Sequence, residues 1–166
     1  MRTFGLIVLA LFTAIIQIAL HGLGSSIVVP NLCLILLIWL APRIATGLLA
    51  GLALTMGLVI EQASGLSFGS VVLGLLLVVF VAKLIFNEAD ERRLSFQLGL
   101  MVGSTLLIVG IAVASLPLAD LAAHWPQLVW RTVLECLYNC GILVGITVLT
   151  SGEQPTSDRR YHLPKI

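Results

Sequence analysis

Six long apolar stretches, separated by short polar breaks, leave this chain one environment in which to fold. They run Phe4–Leu20, Ile27–Leu40, Ile44–Ile60, Leu66–Phe86, Leu98–Leu118 and Leu128–Leu149. Hydrocarbon offers no water to satisfy backbone N–H and C=O groups, so stretches of this kind read as helices whose hydrogen bonds are internal. Six spans of about 20 residues would take roughly 120 residues. The chain has 166, which leaves room for loops and a tail but not for a soluble domain. Its composition excludes the alternatives. Hydrophobic residues make up 59% and charged residues 10%, against about 45–50% and about 25% in an ordinary soluble domain. Nine Lys and Arg against eight Asp and Glu give no basic footprint for nucleic acid. Three cysteines are too few for a disulfide framework. The expectation is an all-α polytopic membrane protein with six transmembrane helices in a single domain over residues 1–150.

Charge placement sets the topology. Cytoplasmic flanks collect Lys and Arg. If all six stretches cross and the N-terminus lies inside, the inner flanks hold Arg2, Arg43, Lys83, Arg92, Arg93, Arg159, Arg160 and Lys165, and only Arg131 lies outside. The second stretch is short, with Pro30 in its first turn and Pro42 at its end. Alone it fits a short span or a re-entrant half-helix, but the re-entrant reading moves Arg43 outside, so the full crossing is preferred. Both termini are then cytoplasmic. Arg2 before an apolar run resembles a signal peptide, but the run is long and no small-residue cleavage site follows, so it reads as a retained span. The tail 151–166, with Pro155 and Pro164, reads as a disordered cytoplasmic end.

Few residues are candidates for chemistry. Glu61 closes the third span beside Gln62 and Ser64; it reads as an interfacial carboxylate, or as one pointing into an outer cavity or pairing with Arg131. Arg131, Glu135 and Asn139 are spaced four apart and share one face of the last span. They form a self-satisfied pair or a polar stripe for a ligand or another subunit. Four glycine pairs have the spacing that lets membrane helices approach closely. Gly47/Gly51, Gly99/Gly103 and Gly141/Gly145 lie within spans, where they serve packing inside the bundle or dock a partner's helix. Gly65/Gly69, with Ser64 and Ser67, lies at the junction of the third and fourth spans and reads as turn chemistry. Cys136 and Cys140 are four apart on one helix, a poor disulfide geometry, and read as packing residues. No nucleotide-binding loop, zinc-protease helix or nucleophile elbow is present. Only Glu135 sits deep enough in a span to serve a proton relay. No enzyme, cofactor or metal is expected.

From Pro30 to about Phe86 the chain resembles the bacterial rod shape-determining protein family MreD. The resemblance rests on Pro30-Asn31 opening the second span, the run LCLILLIWL containing Trp39, and Gly47, Gly51 and Gly57 in the third span. It continues with the acidic Glu61, then Ser64-Gly65 and Gly69. In that family the acidic position is usually Asp, so Glu61 keeps the charge on a longer arm. The resemblance implies a non-enzymatic subunit of the cell-elongation complex in the bacterial inner membrane. It also implies binding to the single-span scaffold MreC, with RodA-like glycosyltransferase, a class B penicillin-binding protein and MreB as further partners in peptidoglycan synthesis. Candidate contacts would be Pro30, Asn31, Glu61, Ser64, Gly65, Arg131, Glu135 and Asn139. The family's architecture is similar to the substrate-binding S components of energy-coupling-factor vitamin transporters, which supplies the alternative. The run Ala10-Leu11-Phe12-Thr13-Ala14 looks like the small-residue motif by which S components dock their transmembrane partner.

Overall fold

A computed structural model describes residues 2–22, 28–64, 69–88, 94–114 and 118–151. Six helices make up these residues: α1 (Arg2–Gly22), α2 (Leu32–Leu40), α3 (Thr46–Ser64), α4 (Ser70–Glu88), α5 (Leu94–Ala114) and α6 (Leu118–Ser151). Stretches within α1, α3, α5 and α6 are long and apolar enough to cross a membrane, and α4 contributes a shorter apolar run, Ser70–Phe86. The chain is therefore an all-helical, multi-pass membrane protein. The expected tail beyond Ser151, Gly65 and the charged loop around Asp90 fall outside the described residues.

The second stretch departs from expectation. Its helix covers only Leu32–Leu40, nine residues, or about 14 Å at 1.5 Å per residue, roughly half of a 30 Å hydrocarbon core. Pro30 stands before the helix rather than in its first turn. It has no N–H to give and disfavours a helical residue before it. Asn31 then starts α2 by accepting a hydrogen bond from the Leu34 N–H at 3.1 Å, the side-chain cap that favours Asn at this position. At the other end Pro42 closes the helix, and the Arg43 and Ile44 N–H groups both turn back to the Leu40 carbonyl.

Because LCLILLIWL is apolar on every side, α2 has to be surrounded. It forms the centre of the molecule, with Cys33, Leu34, Ile35, Leu37, Ile38 and Leu40 all buried. The other five helices stand around it, each touching α2. Neighbours around the ring touch in the order α1, α3, α4, α5, α6. Among the described residues α6 and α1 do not touch, so the ring is open between its last and first helices. Outward-facing Phe12, Leu73, Phe80 and Leu149 give the exterior an apolar surface suited to lipid.

The ends of α6 also differ from the hydropathy reading. The helix begins at Leu118 rather than near Leu128 and carries Pro126 inside it. Its 34 residues span about 51 Å, longer than the hydrocarbon, so its first turns project beyond the apolar window Trp125–Thr150. That segment includes Asp120 and His124, so hydropathy does not mark it as part of a span.

The glycine pairs are redistributed too. A Cβ added at Gly47, Gly51, Gly99, Gly103, Gly141 or Gly145 would meet nothing within 4 Å. Among the described residues these glycines therefore do not mediate packing between helices, because each lies on a face that no other described helix covers. The close approach is instead at Gly57, where a Cβ would stand 2.8 Å from Val72 Cγ2 and 2.9 Å from its Cα. Small residues inside the bundle include Ala10 and Ala14 on α1, both fully buried. The pair expected to dock an outside partner thus faces the chain's own core.

Candidate functional site

The start of α2 lies deep inside the bundle. Its neighbour Asn139 is fully buried and sits near the middle of the apolar window of α6. Thr105 sits near the middle of α5. A helix N-terminus at that depth has donors with no water to bind, and each must find an acceptor in the protein. Three side chains supply them. The Asn31 N–H donates to Asn139 Oδ1 at 2.8 Å. The Leu32 N–H donates to Gln17 Oε1 of α1 at 2.7 Å. The Leu34 N–H uses the side chain of Asn31 itself.

The acceptors are fixed in turn. Asn139 Nδ2 donates to Thr105 Oγ1 at 3.1 Å, and that hydroxyl donates to the Met101 carbonyl at 2.9 Å. The amide of Gln17, 3% exposed, places Nε2 3.1 Å from His21 Nδ1, which lies 2.8 Å from the Gln17 carbonyl oxygen. The imidazole tautomer decides which of these contacts His21 donates. One connected set of hydrogen bonds therefore ties α1, α2, α5 and α6 together at mid-depth. Asn31 and Asn139, 108 positions apart, were both legible as candidates. Gln17 and Thr105 were not, although a glutamine within an apolar run such as Ile15–Leu20 is itself a signal.

The opposite end of α2 is capped by a cation. Lys83 of α4 donates from Nζ to the Ala41 and Ile44 carbonyls, each at 2.6 Å. An ammonium there complements the negative end of the helix dipole. Arg43 lies over the Trp39 ring, 4.4 Å from its centroid, and donates to the Trp39 carbonyl.

Glu61 performs the matching task for α4. Its side chain is 4% exposed. Oε2 accepts from the Gly69 N–H at 2.9 Å, and Oε1 accepts from Val71 and Val72 at 2.7 and 3.0 Å. A carboxylate on a helix N-terminus gains both the hydrogen bonds and the dipole. Gly57, one turn earlier on α3, is the residue whose missing side chain admits Val72. Gly69 takes a φ of 99°, a left-handed conformation that only glycine adopts readily. Gly57, Glu61 and Gly69 thus form a single joint between α3 and α4. The carboxylate neither pairs with Arg131 nor points into an outer cavity, since α4's own backbone holds it. Ser64 is the last residue of α3.

Arg131, Glu135 and Asn139 do share a face of α6, and the structure assigns them different surroundings. Asn139 is buried, Glu135 half-buried and Arg131 exposed. Glu135 stands within electrostatic range of Arg131 and of His21 on α1. These charged and titratable side chains therefore border the open side of the ring, between α6 and α1. Going around α6, Cys136 and Thr147 face α5 through Thr105 and Gln97. Beyond Asn139, on the other side, come Glu135, Arg131 and Tyr138. Cys33, Cys136 and Cys140 are free thiols, and no cluster of three or more His, Cys, Asp or Glu suited to a metal occurs among the described residues.

No family model matches the chain, and no curated protein or solved structure matches it either.

Proposed function

We propose that the chain is a non-enzymatic, multi-pass subunit of the bacterial cell-elongation complex, of the MreD type. In this reading all six stretches cross the inner membrane, both termini are cytoplasmic, and the body is similar in architecture to an S component. It scaffolds peptidoglycan synthesis by binding an MreC-like single-span protein, and through it or beside it a RodA-like glycosyltransferase, a class B penicillin-binding protein and MreB.

One observation carries the reading: the polar side chains inside the membrane serve the chain's own backbone. Gln17, Asn31 and Asn139 accept from N–H groups at the start of α2, Lys83 donates to carbonyls at its end, and Glu61 accepts from N–H groups at the start of α4. Transporters with broken helices leave such N-terminal donors open to an anionic substrate. Here side chains occupy them. The features that gave the MreD resemblance, Pro30-Asn31 and the Gly57–Glu61–Gly69 series, are the ones that build these joints, while the open surfaces are glycine faces and the gap beside α6. That distribution suits a protein that works by contact.

The test is depletion of the chain in its native cell with cell shape as readout. Loss of rod shape, together with recovery of a single-span partner on the tagged chain, is the expected result. Normal rods after complete loss would remove the elongation role. The S-component reading makes the opposite biochemical prediction, a small molecule that raises the melting temperature of the purified chain, since a ligand binding only the folded state stabilises it.

A further inference from the structure

We propose that His21 is a proton-operated latch on the start of α2. Neutral, it lets Gln17 hold the Leu32 N–H; protonated, it drives Gln17 off that donor.

The side-chain amide of Gln17 has one end that accepts and one that donates. Its Oε1 is committed, because the Leu32 N–H donates to it at 2.7 Å and a backbone N–H can only donate. The amide is therefore fixed in one orientation, with Nε2 3.1 Å from His21 Nδ1. Gln17 is buried, and a buried amide NH2 needs an acceptor. Nδ1 accepts only while it carries no proton, so the neutral ring with its proton on the other nitrogen fits this place. The Gln17 carbonyl oxygen, 2.8 Å from Nδ1, does not depend on the ring. It lies inside α1 and is served by the helical ladder.

A second proton on the ring reverses these roles. An imidazolium donates from both nitrogens, and its Nδ1–H turns to the Gln17 carbonyl. Gln17 Nε2 and His21 Nδ1 are then two donors facing each other. Turning the amide over moves the same conflict to the Leu32 N–H. Gln17 withdraws, and that N–H loses its acceptor at a depth where no water replaces it. Asn139 and Asn31 still hold the neighbouring N–H groups, so the start of α2 loosens while the bundle stays folded. Because α2 touches all five other helices, its hold matters to each of them.

The surroundings suit such a role. His21 is exposed, one residue before the end of the apolar window Thr3–Gly22, so solvent supplies the proton. Imidazoles exchange that proton within roughly pH 5–8. Of the described charged and titratable groups, α6 brings Glu135 within range of His21, with Arg131 beside that carboxylate. The helices packed on α1 carry Cys33, buried in the core, and Glu61, occupied by the start of α4. None of these offers Gln17 Nε2 an acceptor in place of Nδ1.

The test is hydrogen exchange of the purified full-length chain in lipid nanodiscs, resolved to the Leu32 amide at about pH 8 and about pH 5 and corrected for intrinsic rates. Protection of Leu32 in wild type should fall about tenfold in acid, as loss of one buried hydrogen bond predicts. His21→Gln, whose amide takes up no proton in this range, should show equal protection at both pH values. Glu135→Gln should keep the wild-type response. Equal protection in wild type at both pH values, an acid response surviving in His21→Gln, or one abolished in Glu135→Gln would each overturn the proposal. A measurement on the unaltered chain stands beside these: nitrogen NMR of labelled histidine should find His21 at pH 8 with its proton on Nε2. A proton on Nδ1 there would equally overturn the latch.

Discussion

At the scale of single residues, intramembrane polarity in this chain is an answer to helix ends. Asn139, Gln17, Glu61 and Lys83 each bind backbone groups that a buried helix terminus leaves bare. Glu61→Leu would strand the Gly69, Val71 and Val72 N–H groups at the start of α4, and loss of charge-assisted bonds of this kind costs about 2–5 kcal/mol in sum. A large fall in melting temperature in detergent is therefore expected. Glu61→Gln should fall between that variant and wild type, since one amide oxygen cannot serve both acceptor positions. A Glu61→Leu chain as stable as wild type would show that the cap does not hold the joint. Asn139→Leu should cost about 1–3 kcal/mol by leaving the Asn31 N–H unsatisfied, read by the same melt. Sequence alone picked out Glu61, Glu135 and Asn139 because polar groups in hydrocarbon are conspicuous, and Asn31 through the resemblance carried by Pro30-Asn31. It did not distinguish a group facing a ligand from one facing a backbone 108 positions away, because spacing along a helix gives a face and not the partner across from it.

Helices show the same division between what hydropathy reveals and what it does not. The centres of α1, α3, α4 and α5 coincide with the apolar stretches, as an element long enough to cross must. Both departures lie where a local rule competes with hydropathy. Pro30 and Asn31 cut the second stretch down to a nine-residue helix, and polar first turns extend α6 outward. Glycine spacing was the least informative signal, because a small residue invites approach without stating from which side. Two substitutions separate the cases. Gly57→Val drives a side chain into the Val72 backbone and should destabilise the fold by about 1–3 kcal/mol, the range for overpacking. Gly99→Val enters open space and should leave the melting temperature of the isolated chain within a degree or two of wild type, apart from its small helix-propensity effect. Equal losses at the two positions would contradict the packing described for α3 and α4.

At the scale of the whole molecule, a short central helix is held at both ends by its neighbours and enclosed by a ring of five helices in which, among the described residues, α6 and α1 do not touch. Hydropathy and charge gave the number of apolar stretches and an expected orientation. They said nothing of the ring or its opening, because those depend on which helices touch. The account's central claim is that this body acts by contact in building a rod-shaped cell wall. Depletion of the chain in its native cell followed by re-expression, with cell shape as the readout, tests it most directly. Rounded cells on depletion and restored rods on re-expression are the predicted result. Rods that persist after complete depletion would contradict it.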